Sequence, residues 1–464
     1  MLLASVWFGV VVGELGSGLR RKIRSACVQR AVGLRCHTPS VGSIRMKFIH
    51  TSDWHLGRRL GEHALIDDQR VFCDWLVDLA VAEGAELIVI AGDVYDRDVP
   101  PTEAVALFRS TVKRLVSSGI KVAAIAGNHD SAERLSAYDG LTERSGVLVR
   151  GGFASAGQLH RWEFSDGPLA VAAVGFLAPA ALPADRADEV EAAHLEAGRH
   201  GPWRTHDRVL AHHLDLARTA AEGAPRSLVI SHAFVSGGLA GGSERQLAVG
   251  DAGQVAARRF DGFSYGALGH LHVSQRVDGR DQLRYSGSPL AYSFSTDDRT
   301  KKEVLVVDMD HSGAVSIEAI PVEAGRPVIL RRGRLDDLVA KAPELDERSA
   351  YVRVELTDPV LPADARRILG GHFPHLVEIG HLPDRTGRAP SQATSSEVRA
   401  LDPIEAARSF WDELSTEPLT SSDEQLLGEI LAEAFSADVD DASPGDHAAG
   451  VPTTPSMAGT GAQP

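Results

Sequence analysis

Three mostly apolar segments near the start of the main body end in polar residues, and this pattern restricts the fold more than any other feature. The segments are 46–53, 86–93 and 121–130, and helical patterns at 65–83 and 102–119 separate them. A β-α-β-α-β order, with strands that are apolar on both faces, is typical of a buried parallel sheet with crossover helices. The sequence therefore predicts an α/β fold.

The remainder of the chain continues this mixture and then changes character. A helix is expected over 206–221, whereas 180–205 has no clear period and is read as an irregular excursion. A separate small α+β unit follows Gly325. Further strands are predicted at 227–233, 263–272, 282–288, 303–309 and 315–321, and in the small unit at 327–334, 351–357 and 376–382, with helices at 335–342 and 362–369.

Polar motifs follow five of the predicted strands. Because ligands of open α/β sheets bind at the carboxyl edge of the strands, these motifs are expected to meet. Together they offer carboxylate, imidazole and amide-oxygen ligands but no thiolate, which favours Mn²⁺, Fe or Zn²⁺ over Mg²⁺ or Ca²⁺. The motifs are Asp53-Trp54-His55, Gly92-Asp93, Gly127-Asn128-His129-Asp130, Ser231-His232 and Gly269-His270-Leu271-His272.

The spacing within these motifs has a simple geometric interpretation. In an extended chain, residues i and i+2 point the same way, so both ends of 53–55 and of 270–272 can face one site. Gly92, Gly127 and Gly269 are expected to let the chain turn sharply out of the sheet. Each motif alone would be an ordinary turn, but five in this order predict a metal centre.

Composition excludes some functions. The chain has 63 acidic and 48 basic residues, a net charge of −15, which argues against a highly basic nucleic-acid coat. A nuclease is still compatible, because bound metal ions and a local basic rim can attract phosphates to an acidic body. Three cysteines are too few for a disulfide framework, and they indicate a reducing, cytoplasmic compartment.

The first 45 residues differ from the rest. The apolar run 2–12 is too short to span a bilayer, and its basic residues follow it rather than precede it as in a secretory signal. A membrane anchor is one interpretation. We prefer Met46 as the natural start, with 1–45 disordered or a mis-called start, because the segment from Met46 opens directly as a core strand.

The order of the motifs resembles that of the calcineurin-like metallophosphoesterases over residues 46 to about 310. The opening MKFIHTSDWHLG, the YSGSP segment after GHLH and the long C-terminal region are similar to the SbcD family, the nuclease subunits of bacterial SbcC–SbcD complexes. The resemblance implies a four-layer double β-sandwich with flanking helices, a small α+β capping domain and C-terminal amphipathic helices.

The same resemblance implies a ligand set. One metal ion would be bound by Asp53, His55, Asp93 and His272, and Asp93 would bridge to a second ion. That second ion would also be bound by Asn128, His232 and His270. A bridging carboxylate suits a two-metal site, in which the ions are roughly 3.5–4 Å apart. The family implies Mn²⁺ as the metal; composition alone leaves Fe and Zn²⁺ open.

Other residues of the motifs are expected to act on the substrate. His129 is the candidate general acid, or hydrogen-bond donor in the transition state, and the Asp96 carboxylate could orient it and raise its pKa. Arg58 and Arg59 could follow a DNA backbone from the rim of the site. Arg97 stands where protein phosphatases of this fold bind phosphate, or it is a plain surface arginine.

The domain boundaries expected from the resemblance leave three segments beyond the catalytic body. The C-terminal helices 402–415 and 421–435 are amphipathic and are expected to bind an SbcC-like SMC-type ATPase. The chain would act as a homodimer within a heterotetramer on DNA, without a membrane. The expected segments are the extension 1–45, the nuclease domain 46–322, the capping domain 323–384, the linker 385–400, the partner-binding helices 401–436 and a disordered tail 437–464.

The implied function is an ATP-dependent double-strand exonuclease and single-strand or hairpin endonuclease for DNA repair, recombination and replication, near the nucleoid. Two alternatives remain open at this point. A protein phosphatase or small-molecule phosphodiesterase of the same fold would not evidently need the C-terminal region. A non-catalytic metal-binding scaffold would be expected to lack at least one ligand, whereas the set here is complete.

Overall fold

The computed structural model describes residues 45–196, 198, 201–239, 253–296, 299, 302–341, 348–383, 408 and 420–440. The chain divides into two compact units. The first contains the residues up to Leu60 and Ala64–Gly325, and the second contains Gly61–His63 and the residues from Arg326 onward. The expected extension 1–45 (except Arg45), the linker 385–400, the helix 402–415 (except Arg408) and the tail from 441 lie outside the described residues.

The first unit alternates strands and helices. Apart from the one-turn helix Ala132–Leu135 and the 3-10 turns, its helices are α1 (Ile66–Ala82), α2 (Thr102–Ser117), α3 (Ala184–Glu196) and α4 (His206–Ala220). Its strands, apart from some of two residues, are β1 (Met46–Thr51), β2 (Leu87–Ile90), β3 (Lys121–Ile125), β4 (Val147–Arg150), β5 (Leu159–Phe164), β6 (Gly167–Val174), β7 (Ser227–His232), β8 (Tyr265–Gly269), β9 (Gln275–Val277), β10 (Arg280–Tyr285), β11 (Glu303–Met309) and β12 (Val315–Pro321).

These strands form two six-stranded sheets. The first has the order β12-β11-β1-β2-β3-β4, in which β1 to β4 are parallel and β11 and β12 add an antiparallel edge. The second has the order β9-β10-β8-β7-β6-β5, in which the four central strands are parallel. The motif-bearing strands β1, β2 and β3 are neighbours in one sheet, and β7 and β8 are neighbours in the other.

The two sheets pack face to face. Side chains from both form one buried apolar cluster, which includes Phe48, Val89 and Ile125 of the first sheet and Val171 and Ile230 of the second. A second cluster joins the outer face of the second sheet to α4. The helices α1 and α2 contact each other, and α2 contacts β3. The predicted double β-sandwich with flanking helices is confirmed.

The structure differs from the sequence-based expectations in three places. The segment read as an excursion contains α3, whose period is hidden because only Val190 and His194 of its residues are fully buried. The strands β4 to β6 and the short strand β9 are absent from the predicted set. Threonine is a common N-cap residue, which predicts Thr102 as the N-cap of α2, but the N-cap is Pro101 and Thr102 is the first helical residue.

The second unit has a three-stranded parallel sheet with two helices. Its buried side chains, among them Leu338, Val352, Val354 and Leu369, form a separate apolar core. The helix Ser421–Asp440 also belongs to this unit. The elements are β13 (Val328–Gly333), α5 (Leu335–Ala340), β14 (Tyr351–Leu356), α6 (Ala365–His372), β15 (Leu376–His381) and α7 (Ser421–Asp440). Among the described residues, no helix has both the length and the apolar character that crossing a bilayer requires.

Candidate metal centre

The structure brings all seven expected ligands together at the carboxyl edges of the two sheets. They follow or end β1, β2, β3, β7 and β8. Ligand atoms of three groups converge within 4.8 Å: Asp53, His55 and His272; Asp53, Asp93 and His232; and His55, Asp93 and His129. All of these residues except His129 are buried.

Asp93 lies between the two halves of this cluster. Its Oδ2 is 3.5 Å from Nε2 of His55 on one side and 3.6 Å from Nε2 of His232 on the other. The Nε2 atom of His55 is also 3.2 Å from Nε2 of His272. A carboxylate in this position could reach two ions, which is the bridging role that the resemblance implies for Asp93.

Asn128 completes the second half. Its Oδ1 lies 2.9 Å from Nε2 of His232 and 3.1 Å from Nδ1 of His270. The other ring nitrogen of His232, Nδ1, donates to the main-chain carbonyl of Ala91 at 2.9 Å. A neutral His232 therefore has a lone pair on Nε2, and this lone pair faces a second acceptor atom, the amide oxygen.

That arrangement fits a cation. Two acceptor atoms in contact, with no proton between them, repel each other unless a positive charge lies between. Within the described residues, Nδ2 of Asn128 and Nδ1 of His55 are buried without a hydrogen-bond partner. The donor set of carboxylate, amide oxygen and imidazole nitrogen suits a divalent transition metal.

Burial keeps the imidazoles in the ligating form. It lowers the pKa of His232 to about 3 and holds the pKa values of His55 and His270 well below the ordinary value. Neutral imidazole is the species that binds metal. Burial also raises the pKa of Asp93 to about 6 in the absence of metal; a bound cation would favour the carboxylate.

Four of the site residues have unusual backbone conformations. The φ angles of Asp53, His55 and Asp93 are 55°, 44° and 49°, and that of His270 is 108°. Positive φ is uncommon for residues other than glycine, and such strain concentrates at functional sites. The predicted alternation of side chains in 53–55 requires an extended backbone, but this segment is not extended. The side chains of Asp53 and His55 converge because the backbone curls.

The glycines of the motifs have two different roles. Gly92 has a φ of 90° and turns the chain, as expected. Gly127 and Gly269 have ordinary backbone angles, and they are needed for space. A Cβ atom on Gly127 would collide with the Asp93 carboxylate, and one on Gly269 would collide with the Ala91 carbonyl of the other sheet.

Two residues that position the candidate ligands, Asp130 and Gln69, are not predicted from the sequence. The Asp130 carboxylate accepts hydrogen bonds from the main-chain N–H groups of Val94, Tyr95 and Gly127 at 2.8–3.0 Å, and so joins the loops after β2 and β3. Gln69 of α1 donates to the His55 carbonyl at 2.7 Å. The place of Asp130 at the end of the GNHD motif is a signal that could have found it, whereas Gln69 has none.

The expected pairing of Asp96 with His129 is made by a different atom. His129 Nδ1 donates to the main-chain carbonyl of Asp96 at 2.9 Å. The Asp96 carboxylate turns to Arg58, with its Oδ1 3.1 Å from NH1, and lies 3.6 Å from Nδ1 of His55. Because Arg58 offers a full positive charge, it is the stronger partner for the carboxylate.

The three expected arginines occupy different environments. Arg58 is half-buried, and its guanidinium lies 4.9 Å from the ring centroid of Tyr292, whose own ring contacts His55 and His272 edge-on. Arg59 and Arg97 are exposed. The structure therefore places one arginine of the three against the ligand cluster.

Comparison with known proteins agrees with this geometry. Residues 46–274, just under half of the chain, match the family model of the calcineurin-like phosphoesterases. Residues 325–414 match the model named for the SbcD C-terminal domain and described as the type 5 capsule protein repressor C-terminal domain. With both matches in one chain, it is a metallophosphoesterase of the SbcD type, and so a hydrolase of phosphoester bonds that uses divalent metal ions.

Three solved structures to which the chain is similar show distant likeness. The protein TT1561 of Thermus thermophilus is 13% identical, with 60% of this chain and 99% of that chain covered, at a TM-score of 0.32. A dimetal phosphatase from Danio rerio is 12% identical, with the same coverage, at 0.31. A glutamine-dependent NAD⁺ synthetase from Acinetobacter baumannii is 10% identical, with 86% and 73% covered, at 0.29. These likenesses are too low to bear on function.

Proposed function

We propose that the chain is a two-metal DNA phosphodiesterase, the nuclease subunit of an SbcC–SbcD-type complex. The observation that supports this most is the SbcD-type C-terminal domain behind a phosphoesterase domain with a complete ligand set. The proposed activities are ATP-dependent exonuclease action on double strands and endonuclease action on single strands and hairpins. They would serve DNA repair, recombination and replication at the nucleoid.

The metal ions are assigned to two positions that share Asp93. Asp53, His55 and His272 would hold one ion, and Asn128, His232 and His270 would hold the other. We propose Mn²⁺ at both. Two bound ions of this kind would lower the pKa of a bound water to near neutrality and would stabilise the charge that develops on the phosphate.

The side chain of His129 would then act on the leaving oxygen of the phosphodiester. Because Nδ1 of His129 is held by the Asp96 carbonyl, its Nε2 is the nitrogen left for the substrate. A protonated His129 can donate from Nε2 to the leaving oxygen or to the developing charge. Asp96 would act indirectly, through its carbonyl on His129 and its carboxylate beside Arg58.

The substrate's phosphates are assigned to arginine. Arg58 is the best supported, because it is half-buried beside the ligand cluster. Arg59 and Arg97 would contact more distant phosphates from the exposed rim. Such contacts position DNA without reading its sequence, which suits a nuclease that acts on ends and hairpins.

The helices suggest the partners. Leu426 and Ile430 of α7 are four residues apart and are 56% and 54% exposed. Apolar side chains at this spacing form one stripe, which suits docking into the groove of an SMC-type ATPase.

Val71 of α1 and Val105 of α2 are 52% and 41% exposed, and we propose that these helices pair two nuclease subunits within a heterotetramer.

A nuclease assay tests the proposal. Linear and hairpin DNA would be incubated with the full chain and Mn²⁺, with and without the SMC-type ATPase and ATP. We expect cleavage of single strands by the chain alone and ATP-stimulated cutting of duplex ends by the complex. The Asp93→Ala chain is the control for contaminating nuclease. Hydrolysis of small phosphate esters without any cleavage of DNA would favour the phosphatase alternative.

A further inference from the structure

Buried hydroxyl groups lie directly behind the Asp53 carboxylate. Ser52 and Ser286 are 0% and 1% exposed. The Ser52 hydroxyl donates to Oδ2 of Asp53, and its oxygen is 2.8 Å from the Ser286 hydroxyl. A hydroxyl has one proton, and a carboxylate is the stronger acceptor, so Ser286 must be the donor to Ser52. The hydrogen bonds therefore run from Ser286 through Ser52 to Asp53.

The carboxylate of Asp53 is also held from the second sheet. The main-chain N–H of His270 donates to it, at 3.0 Å from Oδ1 and 3.2 Å from Oδ2. Two donors in different directions fix the plane of a carboxylate more firmly than one. Removal of the Ser52 hydroxyl would therefore weaken the restraint on this plane.

A lysine holds the other end of the same ligand group. Lys302 Nζ donates to the His272 carbonyl at 3.1 Å and to the Ser288 hydroxyl at 3.1 Å. The His272 backbone and the hydroxyl-bearing segment after β10 are thereby tied together. A cavity of about 290 Å³ connects these groups, and it is lined by His272, Val273, Ser274, Ser286, Ser288, Lys302 and Glu303.

The other half of the site is held differently. His232 is oriented by a main-chain carbonyl, that of Ala91. Asn128 lies in the loop after β3. The Asp130 carboxylate joins this loop to the loop after β2 by accepting hydrogen bonds from main-chain N–H groups of both. Ser52 thus contacts the Asp53 carboxylate and Lys302 contacts the His272 carbonyl, and Asp53 and His272 are both assigned to the same metal position.

We propose that Ser52, Ser286 and Lys302 are positioning residues that set the metal affinity of one of the two positions. The inference rests on the proposed two-metal assignment, but not on DNA as the substrate. Loss of a hydrogen-bond partner behind a ligand typically reduces metal affinity by about 10–100-fold. Because the second ion shares only Asp93 with this position, its affinity should change little.

The test is a calorimetric titration of the full metal-free chain with Mn²⁺ alone. We expect two binding events in the unmodified chain. In Ser52→Ala, Ser286→Ala and Lys302→Met, one event should weaken by about 10–100-fold while the other is unchanged. Ser316→Ala is the matched control, because Ser316 is an exposed serine of β12.

A double variant sharpens the test. If Ser286 acts through Ser52, Ser52→Ala with Ser286→Ala should bind no more weakly than Ser52→Ala alone, since the effects of coupled residues do not add. The melting temperature of each chain, measured without metal, separates positioning from general damage. Saturating Mn²⁺ should restore the maximal rate of the variants.

Three results would overturn the inference. The first is that both events are unchanged in all the variants, the second is that both weaken together with a fall in melting temperature, and the third is full additivity in the double variant. Fewer than two binding events in the unmodified chain would instead remove the two-metal assignment. Two events in a chain that does not cut DNA would contradict the nuclease proposal and leave this inference standing.

Discussion

The two sheets contribute different ligands and hold them in different ways. The first sheet supplies the oxygen ligands and His55, on loops whose backbone has positive φ at Asp53, His55 and Asp93. The second supplies imidazoles only, and two of the three are held by groups of the first sheet: His232 donates to the Ala91 carbonyl, and the His270 N–H donates to Asp53. The difference teaches that neither sheet has a complete site, because the histidines of one are oriented by the loops of the other.

The largest effect is expected where one residue serves both halves. Asp93→Ala should reduce phosphodiester hydrolysis to background and remove most of both ions, because its carboxylate lies between His55 and His232. His232→Ala should remove one ion. Elemental analysis of the purified chains would count the metals. An Asp93→Ala chain that kept one ion at full affinity would contradict the bridging assignment.

The next comparison contrasts two histidines. His129→Ala should keep both ions and lose about 10²–10⁴-fold in rate, the typical contribution of general acid–base catalysis. His270→Ala, from the second sheet, should lose an ion. Metal content and single-turnover rates of both variants distinguish the roles. Loss of metal from the His129→Ala chain would make His129 a ligand, which its place beside His55 and Asp93 allows.

The contact between the sheets can be broken at a glycine. Gly269→Ala should destabilise the fold by about 1–3 kcal/mol, the usual effect of overpacking, because the added methyl group meets the Ala91 carbonyl. Metal affinity should fall with it. Urea unfolding measures the first effect and Mn²⁺ titration the second. Gly370→Ala is the control, since nothing lies within 4 Å of its Cβ position; equal stability losses in both chains would contradict the argument.

The smallest effect concerns the rim of the first sheet. Arg58→Gln should raise KM for DNA about tenfold, as the loss of one charge-assisted hydrogen bond of about 1.5 kcal/mol implies. Arg97→Gln, at an exposed position, should change KM much less. Steady-state kinetics at two salt concentrations would separate a specific contact from general charge attraction. An equal rise in KM in both variants would mean that Arg58 attracts DNA only by its charge, as Arg97 does at its exposed position.

Much of this site can be predicted from the sequence, because apolar strands mark their own carboxyl ends and parallel neighbours bring those ends together. The seven candidate ligands, which the structure brings together, are predicted in this way and by resemblance. The curled backbone at Asp53 and His55 could not be predicted, since positive φ at a non-glycine residue leaves no trace in composition. The atom by which Asp96 holds His129 is equally hidden, because it depends on Arg58 as a competitor.

Outside the site, too, some elements can be predicted from the sequence and others cannot. The helix α4 is predictable because its inner side repeats Val209, His213 and Leu214 at helical spacing. The helix α3 is not, because a largely exposed helix of alanine and charged residues shows no apolar period. Buried elements therefore show a periodic apolar pattern in the sequence, whereas exposed elements and individual side-chain contacts show little pattern.

The hydrogen bond from His270 to Asp53 joins residues that are 217 positions apart in the chain. During synthesis, the first sheet can assemble around β1 to β4 long before β8 has been made. Closing so long a loop is slow compared with local pairing. Under the proposed two-metal assignment, metal loading would therefore be a late event in folding, because a chain interrupted before residue 270 would have the carboxylates with their strained loops but no enclosed site.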